Sequence, residues 1–435
     1  MDAQPTRTPA GRVLDARPVT PPPLSPSRKI DVDLARARTP GLANITHLNN
    51  AGAALMSERV LNTAIEHLRL EAVVGGYEAA DRAQARMFAV YRSTAALLGC
   101  APDEIAIMEN ASRAWALFFA SLDLAPGDVV VTTEGEYASN FMSMLQARRR
   151  CGIEIEVIAP GPDGTADADA LRKLIDRHGR RIRLVSLTHV ATNNGAISPV
   201  ETLSRIVREA RGSGALAPNA LVAVDACQTV GQMDVNVDAL GCDMLTATSR
   251  KFLRGPRGVG ILYVRRAQPG LAAAVEPRIL DMRSGFWSGS DEYRIYAEAE
   301  RFETWDKCVA SKLAFGAAVD EALDWGLDAI EASIGELSVV LREMLADLPG
   351  VRLCDTGSRQ CGTVTFDLER GSPYALVSHL RERTINIGVS DRDLVRLDMD
   401  RRNLEAVARC SVHYYNTVED LERFIAATDH YVRSA

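Results

Sequence analysis

Just beyond short apolar runs, this 435-residue chain carries Tyr137, Thr192, Asp225, Gln228, Thr248, Ser249, Arg250 and Lys251. An amine, a carboxylate, hydroxyls, an amide, an aromatic ring and a guanidinium form the set that pyridoxal phosphate requires. An aldehyde cofactor needs a lysine, and its pyridine nitrogen draws electrons only while a buried carboxylate keeps it protonated. Asp225, ending the run LVAVD, supplies that carboxylate. Lysine is scarce: Lys29, Lys173, Lys251, Lys307 and Lys312 are the five among 50 basic residues, so lysine chemistry has five candidates.

The elements that must position these groups are legible as β/α alternation from about residue 101 to 265. Asp128–Thr133, Leu184–Val190, Leu221–Asp225, Asp243–Ala247 and Val259–Val264 read as buried parallel strands, being short, apolar and β-branched. Val200, Leu203, Ile206, Val207 and Ala210 recur at helical spacing behind Pro199. A doubly wound α/β sheet follows, with its ligand beyond the carboxyl ends of the strands. Helical stretches then run over about 309–348 and a strand over 362–368. We therefore expect a large α/β domain at 41–319, with an N-terminal arm, and a smaller α+β domain at 320–435. Residues 1–40 hold eight of the 19 prolines and read as a disordered tail.

Composition narrows the partners. A net charge of -7 with interspersed signs offers no cationic face for nucleic acid. The absence of long apolar runs or an apolar leader predicts a cytoplasmic protein that does not span a membrane. The eight cysteines contain no CxxC pair, so neither zinc nor a disulfide framework is expected.

The chain resembles the class V aminotransferases of fold type I. The pattern is V-D-A-C-Q (224–228) followed by D-M-L-T-A-T-S-R-K-F-L-R-G-P-R-G-V-G (243–260), with H-L-N-N-A-G (47–52), E-Y-A-S-N (136–140), H-V-A-T-N-N-G (189–195) and R-C-S-V-H-Y-Y-N-T (409–417). This resemblance implies that Lys251 is the Schiff-base lysine and that Asp225 pairs with the ring nitrogen. It also implies that Gln228 and Thr192 approach the ring hydroxyl, with Asn193 and Asn194 as alternatives to Thr192, and that Tyr137 stacks on the ring. By the same resemblance Ser112, Arg113, Thr248 and Arg250 form the phosphate cup. Arg409 grips the substrate carboxylate, with Asn50 and Tyr77 as further substrate contacts. It implies a homodimer with composite sites, R-F-E-T-W-D (301–306) completing the partner's cup, and a small amino-acid substrate.

Through G-G-Y-E-A (75–79) and S-R-K-F-L-R-G-P-R-G (249–258) the chain is most similar to the branch holding isopenicillin N epimerase-like proteins and cysteine sulfoxide lyases. The expected reaction is β-elimination from an S-substituted cysteine or its sulfoxide. Transamination, epimerisation and oxidative decarboxylation are alternatives on the same scaffold, and a cofactor-binding regulator without turnover is a further one. Desulfurases keep a nucleophilic cysteine on the loop before the carboxylate-binding arginine, yet residues 362–408 contain none. Ser390, Arg392 and Arg396 on that loop are candidate specificity residues. Gly255, Gly258 and Gly260 read as a turn feeding a strand, His47 and His413 as structural, and His189 as undecided.

Overall fold

The computed structural model describes residues 29–266 and 275–434. Seven strands build the main sheet: β1 Ile105–Met108, β2 Val129–Thr133, β3 Glu154–Ile158, β4 Ile182–Thr188, β5 Leu221–Asp225, β6 Met244–Thr248 and β7 Gly260–Val264. Their spatial order is β1-β7-β6-β5-β4-β2-β3. Strands β2 to β6 pair in parallel, while β7 is antiparallel to both β1 and β6. The sheet is mostly parallel, as expected; of the strands read as parallel, Val259–Val264 is the exception, because β7 returns from β6 through the turn at 249–259.

Alternation divides the sheet's side chains between two cores. Val129, Val131, Val222 and Val224 enter one, and Val130, Leu221 and Ala223 the other. A strand covered on both faces reads as a continuous apolar run. Burying each such Val or Leu contributes about 1.5–3 kcal/mol.

Four antiparallel strands form a second sheet in the order Val351–Leu353, Thr363–Leu368, Ala406–Ser411, Gly388–Asp391. The stretch 309–348 divides into the helices Val309–Trp325 and Leu327–Ala346, broken at Gly326 with φ +90°. The first of these runs through residue 320, so a boundary there cuts an element. The N-terminal arm also crosses the expected division: Thr46–His47 pairs in parallel with Ile385–Asn386, and Leu48 accepts a bond from the Ser411 amide at 2.8 Å.

The tail reading needs correction over its last third. Val32–Ala37 is helical, capped by the Asp31 carboxylate, and Arg36 donates to the Tyr415 carbonyl and to Asp420. Burying Thr39 and pairing Arg36 tie this segment to the C-terminus despite its prolines. Residues 1–28 lie outside the described residues.

Candidate active site

The carboxyl ends of β2, β4, β5 and β6 deliver their side chains to one cleft. Asp225, the last residue of β5, is buried; its Oδ1 accepts from the Cys227 amide at 2.9 Å and its Oδ2 from Asn140 Nδ2 at 3.1 Å. Three residues on, Gln228 Nε2 donates to Thr192 Oγ1 at 3.0 Å and to the Ala51 carbonyl at 3.3 Å. The Arg409 guanidinium, from the second sheet, donates to both the hydroxyl and the carbonyl of the same Thr192.

Lys251 follows β6 on a tight loop. Arg254 and Gly255 amides donate to the Lys251 and Ser249 carbonyls at 2.8 and 2.9 Å, and Arg254 has φ +61°, a costly value for a non-glycine residue. Buried Arg254 holds that conformation by donating to the Leu55 carbonyl at 2.9 Å, to Thr39 and to Tyr414. From below, Gly231 (φ +97°) approaches so closely that a Cβ there would lie 2.5 Å from Phe252 C and Leu253 N.

The lysine itself is half-buried and donates to no acceptor among the described residues. Removal from water lowers its amine to about 8; Cys227 and Asp225 oppose that shift, and Arg250 and Arg409 add to it. By contrast Lys307 and Lys312 are engaged with Glu303 or Tyr91, and Lys29 and Lys173 are exposed. One lysine thus remains free inside a cleft.

Arg409 is buried without a carboxylate partner among the described residues, and its Nε has no acceptor. Burial, then the neighbouring Arg250, brings it down to about 10. Gln228 Oε1 is likewise buried and unpartnered. Unpaired buried charge is costly, so Arg409 points to an anion that satisfies it, whereas the Gln228 oxygen, an acceptor, points to a donor such as a hydroxyl.

The phosphate-cup candidates lie on two elements. Ser112 and Arg113 are exposed in the first turn of Ala111–Ala120, where main-chain amides favour anions, and Ser139 Oγ donates to Ser112 Oγ at 3.3 Å. Gly260 makes room for that turn, since a Cβ on it would strike the Asn110–Ala111 backbone. Thr248 ends β6, buried, and half-buried Arg250 donates to the Gly52 carbonyl. Tyr137 caps the helix Ala138–Cys151, half-buried and near enough to Arg250 and Arg409 to act on both.

Several expected contacts need correction. Asn50 is completely buried, its Nδ2 donating to the Ser411 carbonyl at 2.6 Å and its Oδ1 accepting from Tyr415, so its amide ties the N-terminal arm to the second sheet. The preceding Asn49 instead has an unpartnered Oδ1 facing Gly388, beside which Arg409 also lies. Tyr77 is 78% exposed at the start of Gly76–Leu98 and is not brought to the cleft in this chain. Asn193 donates to Asp398 at 2.6 Å and Asn194 accepts from the Ala196 amide, which leaves Thr192 as the residue of that trio facing Gln228. Ser390 is buried, while Arg392 pairs with Glu405 and Asp400, and Arg396 with Asp393; these loop charges are not free for a ligand.

The undecided and structural histidines also resolve. His189 is buried and lowered to about 4, first by burial, so it is neutral. His47 and His413 bond to the Ala53 and Phe252 carbonyls at 2.9 Å, which is structural work.

Sequence reasoning gave no role to Glu136, Asn140 and Cys227, although Glu136 and Cys227 lie in the strand-end stretches expected to converge on the site and only Asn140 lies outside them. The first two lie in the E-Y-A-S-N match, which was the available signal; Cys227 lies inside V-D-A-C-Q. Its thiol is held well above its ordinary value by burial and by Asp225.

The strand order, with its single reversed strand, and a free lysine facing a strand-end aspartate define a fold type I pyridoxal phosphate enzyme. Residues 46–424 match the aminotransferase class-V family, and the chain belongs to it. Among curated relatives, a probable hercynylcysteine sulfoxide lyase of Mycobacterium tuberculosis is 30% identical over 93% of this chain and 94% of its own. A probable cysteine desulfurase of Pyrococcus abyssi is 26% identical over 92% and 97%. The apo cysteine desulfurase of Thermococcus onnurineus superposes with TM-score 0.83 at 24% identity, covering 94% of this chain and all of that one. Among the described residues, no helix is long and apolar enough to cross a membrane.

Proposed function

We propose that this enzyme is a carbon–sulfur lyase that eliminates the β-substituent of an S-substituted cysteine or cysteine sulfoxide. The observation that carries this reading is the pairing, in one cleft, of a free lysine amine near 8 with a buried Arg409 that lacks a counter-ion. The cleft's own thiol supports it from the other side: Cys227 is held protonated, and a thiol is a poor acceptor of sulfur. The sulfoxide lyase name of one relative agrees with it.

The residues present fit the cofactor, since the cleft offers one amine, one strand-end carboxylate and an unpartnered anion-binding group. Lys251 would hold its aldehyde, Asp225 the proton on its ring nitrogen, Gln228 and Thr192 its hydroxyl, and Tyr137 its ring face. Ser112, Arg113, Thr248 and Arg250 would hold the phosphate. When bound, pyridoxal phosphate supplies the sink for the electron pair left by the departing α-proton.

The chain does the rest. Arg409 fixes the substrate carboxylate and so turns the α-proton toward Lys251. The Lys251 amine takes that proton. The Cβ–S bond breaks with its electron pair on sulfur, giving a thiolate or sulfenate that takes up a proton. The remaining 2-aminoacrylate adds water to give pyruvate and ammonia.

Product analysis on S-alkyl cysteines and their sulfoxides tests this. Released thiol or sulfenate with equimolar pyruvate and ammonia is expected. A keto acid, D-isomer or aldehyde with the carbon–sulfur bond intact would replace the lyase with a transaminase, epimerase or oxidative decarboxylase. Binding of cofactor without any turnover would leave a regulator. Assembly as a homodimer with composite sites is part of the same proposal.

A further inference from the structure

We propose that Glu136 is a positioning residue for the cofactor: through the Asn140 amide it fixes the Asp225 carboxylate toward the ring nitrogen, and it adds a second negative charge behind it. The inference rests on the assignment of Asp225 to that nitrogen.

Glu136 is 2% exposed and takes four bonds. Thr132 Oγ1, on β2, and Ser186 Oγ, on β4, each donate to its Oε2 at 2.8 Å. Asn140 Nδ2 and the Tyr137 amide donate to its Oε1 at 2.9 and 3.0 Å. The Asn140 amide nitrogen carries two protons, and its other acceptor is Asp225 Oδ2. One NH2 group, itself buried, therefore bridges two carboxylates.

That arrangement is expensive unless something uses it. Two like charges so near each other, out of water, repel; burial and the Asp225 charge accordingly push the Glu136 carboxyl up from its ordinary value. A positive ring nitrogen in front of Asp225 would lie before two negative groups and relieve that repulsion. The same acid also sets the Tyr137 backbone, so one buried side chain links β2 and β4, through their hydroxyls, to the two residues that would meet the ring's edge and face. A packing role alone would be served by an apolar side chain, without four donors collected around a charge.

The test uses holoenzyme loaded with cofactor carrying 15N in the ring, read by its nitrogen chemical shift and by the cofactor dissociation constant. Glu136→Gln keeps the shape and removes the charge, because the Thr132 and Ser186 hydroxyls can turn to accept. It is expected to move the nitrogen signal in the direction that Asp225→Asn moves it, and to weaken retention about tenfold or more. Asn140→Ser, which cuts the bridge and leaves both charges, should shift both readings the same way by less. If Glu136→Gln does not fold, Asn140→Ser decides on the same two readings. Wild-type shift and affinity in the folded variants, while Asp225→Asn moves the signal, overturn the role of Glu136 alone. No response to Asp225→Asn overturns the ring-nitrogen assignment and this inference with it.

Discussion

Lys251 differs from an ordinary lysine by its surroundings. An amine lowered to about 8 gains its free-base form as pH rises through 8, whereas an unperturbed lysine does so only beyond 10. Cofactor capture by the apoprotein should therefore accelerate up to about pH 8 and then level off, with borohydride fixing the label on Lys251. Acceleration continuing past pH 10, or a label on Lys173, would refute this. Arg409→Lys keeps the charge but loses the planar fork, so KM should rise by at least tenfold while kcat changes less. Steady-state kinetics with one S-substituted cysteine checks it. At this scale the sequence revealed groups whose position follows from a strand end, namely Asp225, Gln228 and Lys251. It could not separate Asn49 from Asn50, because the bonds that engage Asn50 come from Ser411 and Tyr415, more than 360 residues away.

Elements hold these residues at the right depth. Gly231 supports the lysine loop by having no side chain, and Gly231→Ala should cost about 2 kcal/mol or more through its positive φ and its clash with Phe252. Displacement of Lys251 should follow, seen as loss of the visible absorbance of the holoenzyme at a temperature where the protein remains folded. Asp398 does for Thr192 what Gly231 does for Lys251. Buried at the helix Arg396–Arg401, it accepts from Asn193, Arg401 and Arg402. Asp398→Ala strands those donors and should lower the unfolding free energy by about 3 kcal/mol in denaturant titration. Unchanged stability would mean the 189–195 loop is held elsewhere. The central strands were legible because both faces are buried and their runs are unbroken. Strand β3 was missed, since Glu154 and Glu156 interrupt its apolar pattern at the sheet edge. The direction of β7 was misread because a short apolar run carries no mark of its orientation.

At the scale of the whole molecule, one exposed aromatic surface stands out among the described residues. The hairpin of Gly285–Trp287 and Tyr293–Ile295 exposes Phe286, Trp287 and Tyr293, and Met282 and Trp305 are exposed as well. Soluble chains rarely leave so much apolar surface open without a partner. Trp305 is 53% exposed, so it is not core, yet its backbone is pinned by Asp281 at 2.7 Å. Neighbouring Glu303 is buried and bonded by Tyr91, Lys307 and the Ile107 amide at 2.7 Å, which fixes the segment 301–306 rigidly with its tryptophan outward. A rigid base under an exposed aromatic suits insertion into a second copy, and a symmetric pair would make each chain complete the other's phosphate cup. Trp287→Asp combined with Trp305→Asp places two charges on that face and should shift sedimentation from dimer to monomer. The monomer should fold, by circular dichroism, and retain pyridoxal phosphate at least tenfold less tightly. A monomeric wild type, or a monomeric variant that holds the cofactor at full strength, would overturn the composite site and leave each chain sufficient for its own chemistry.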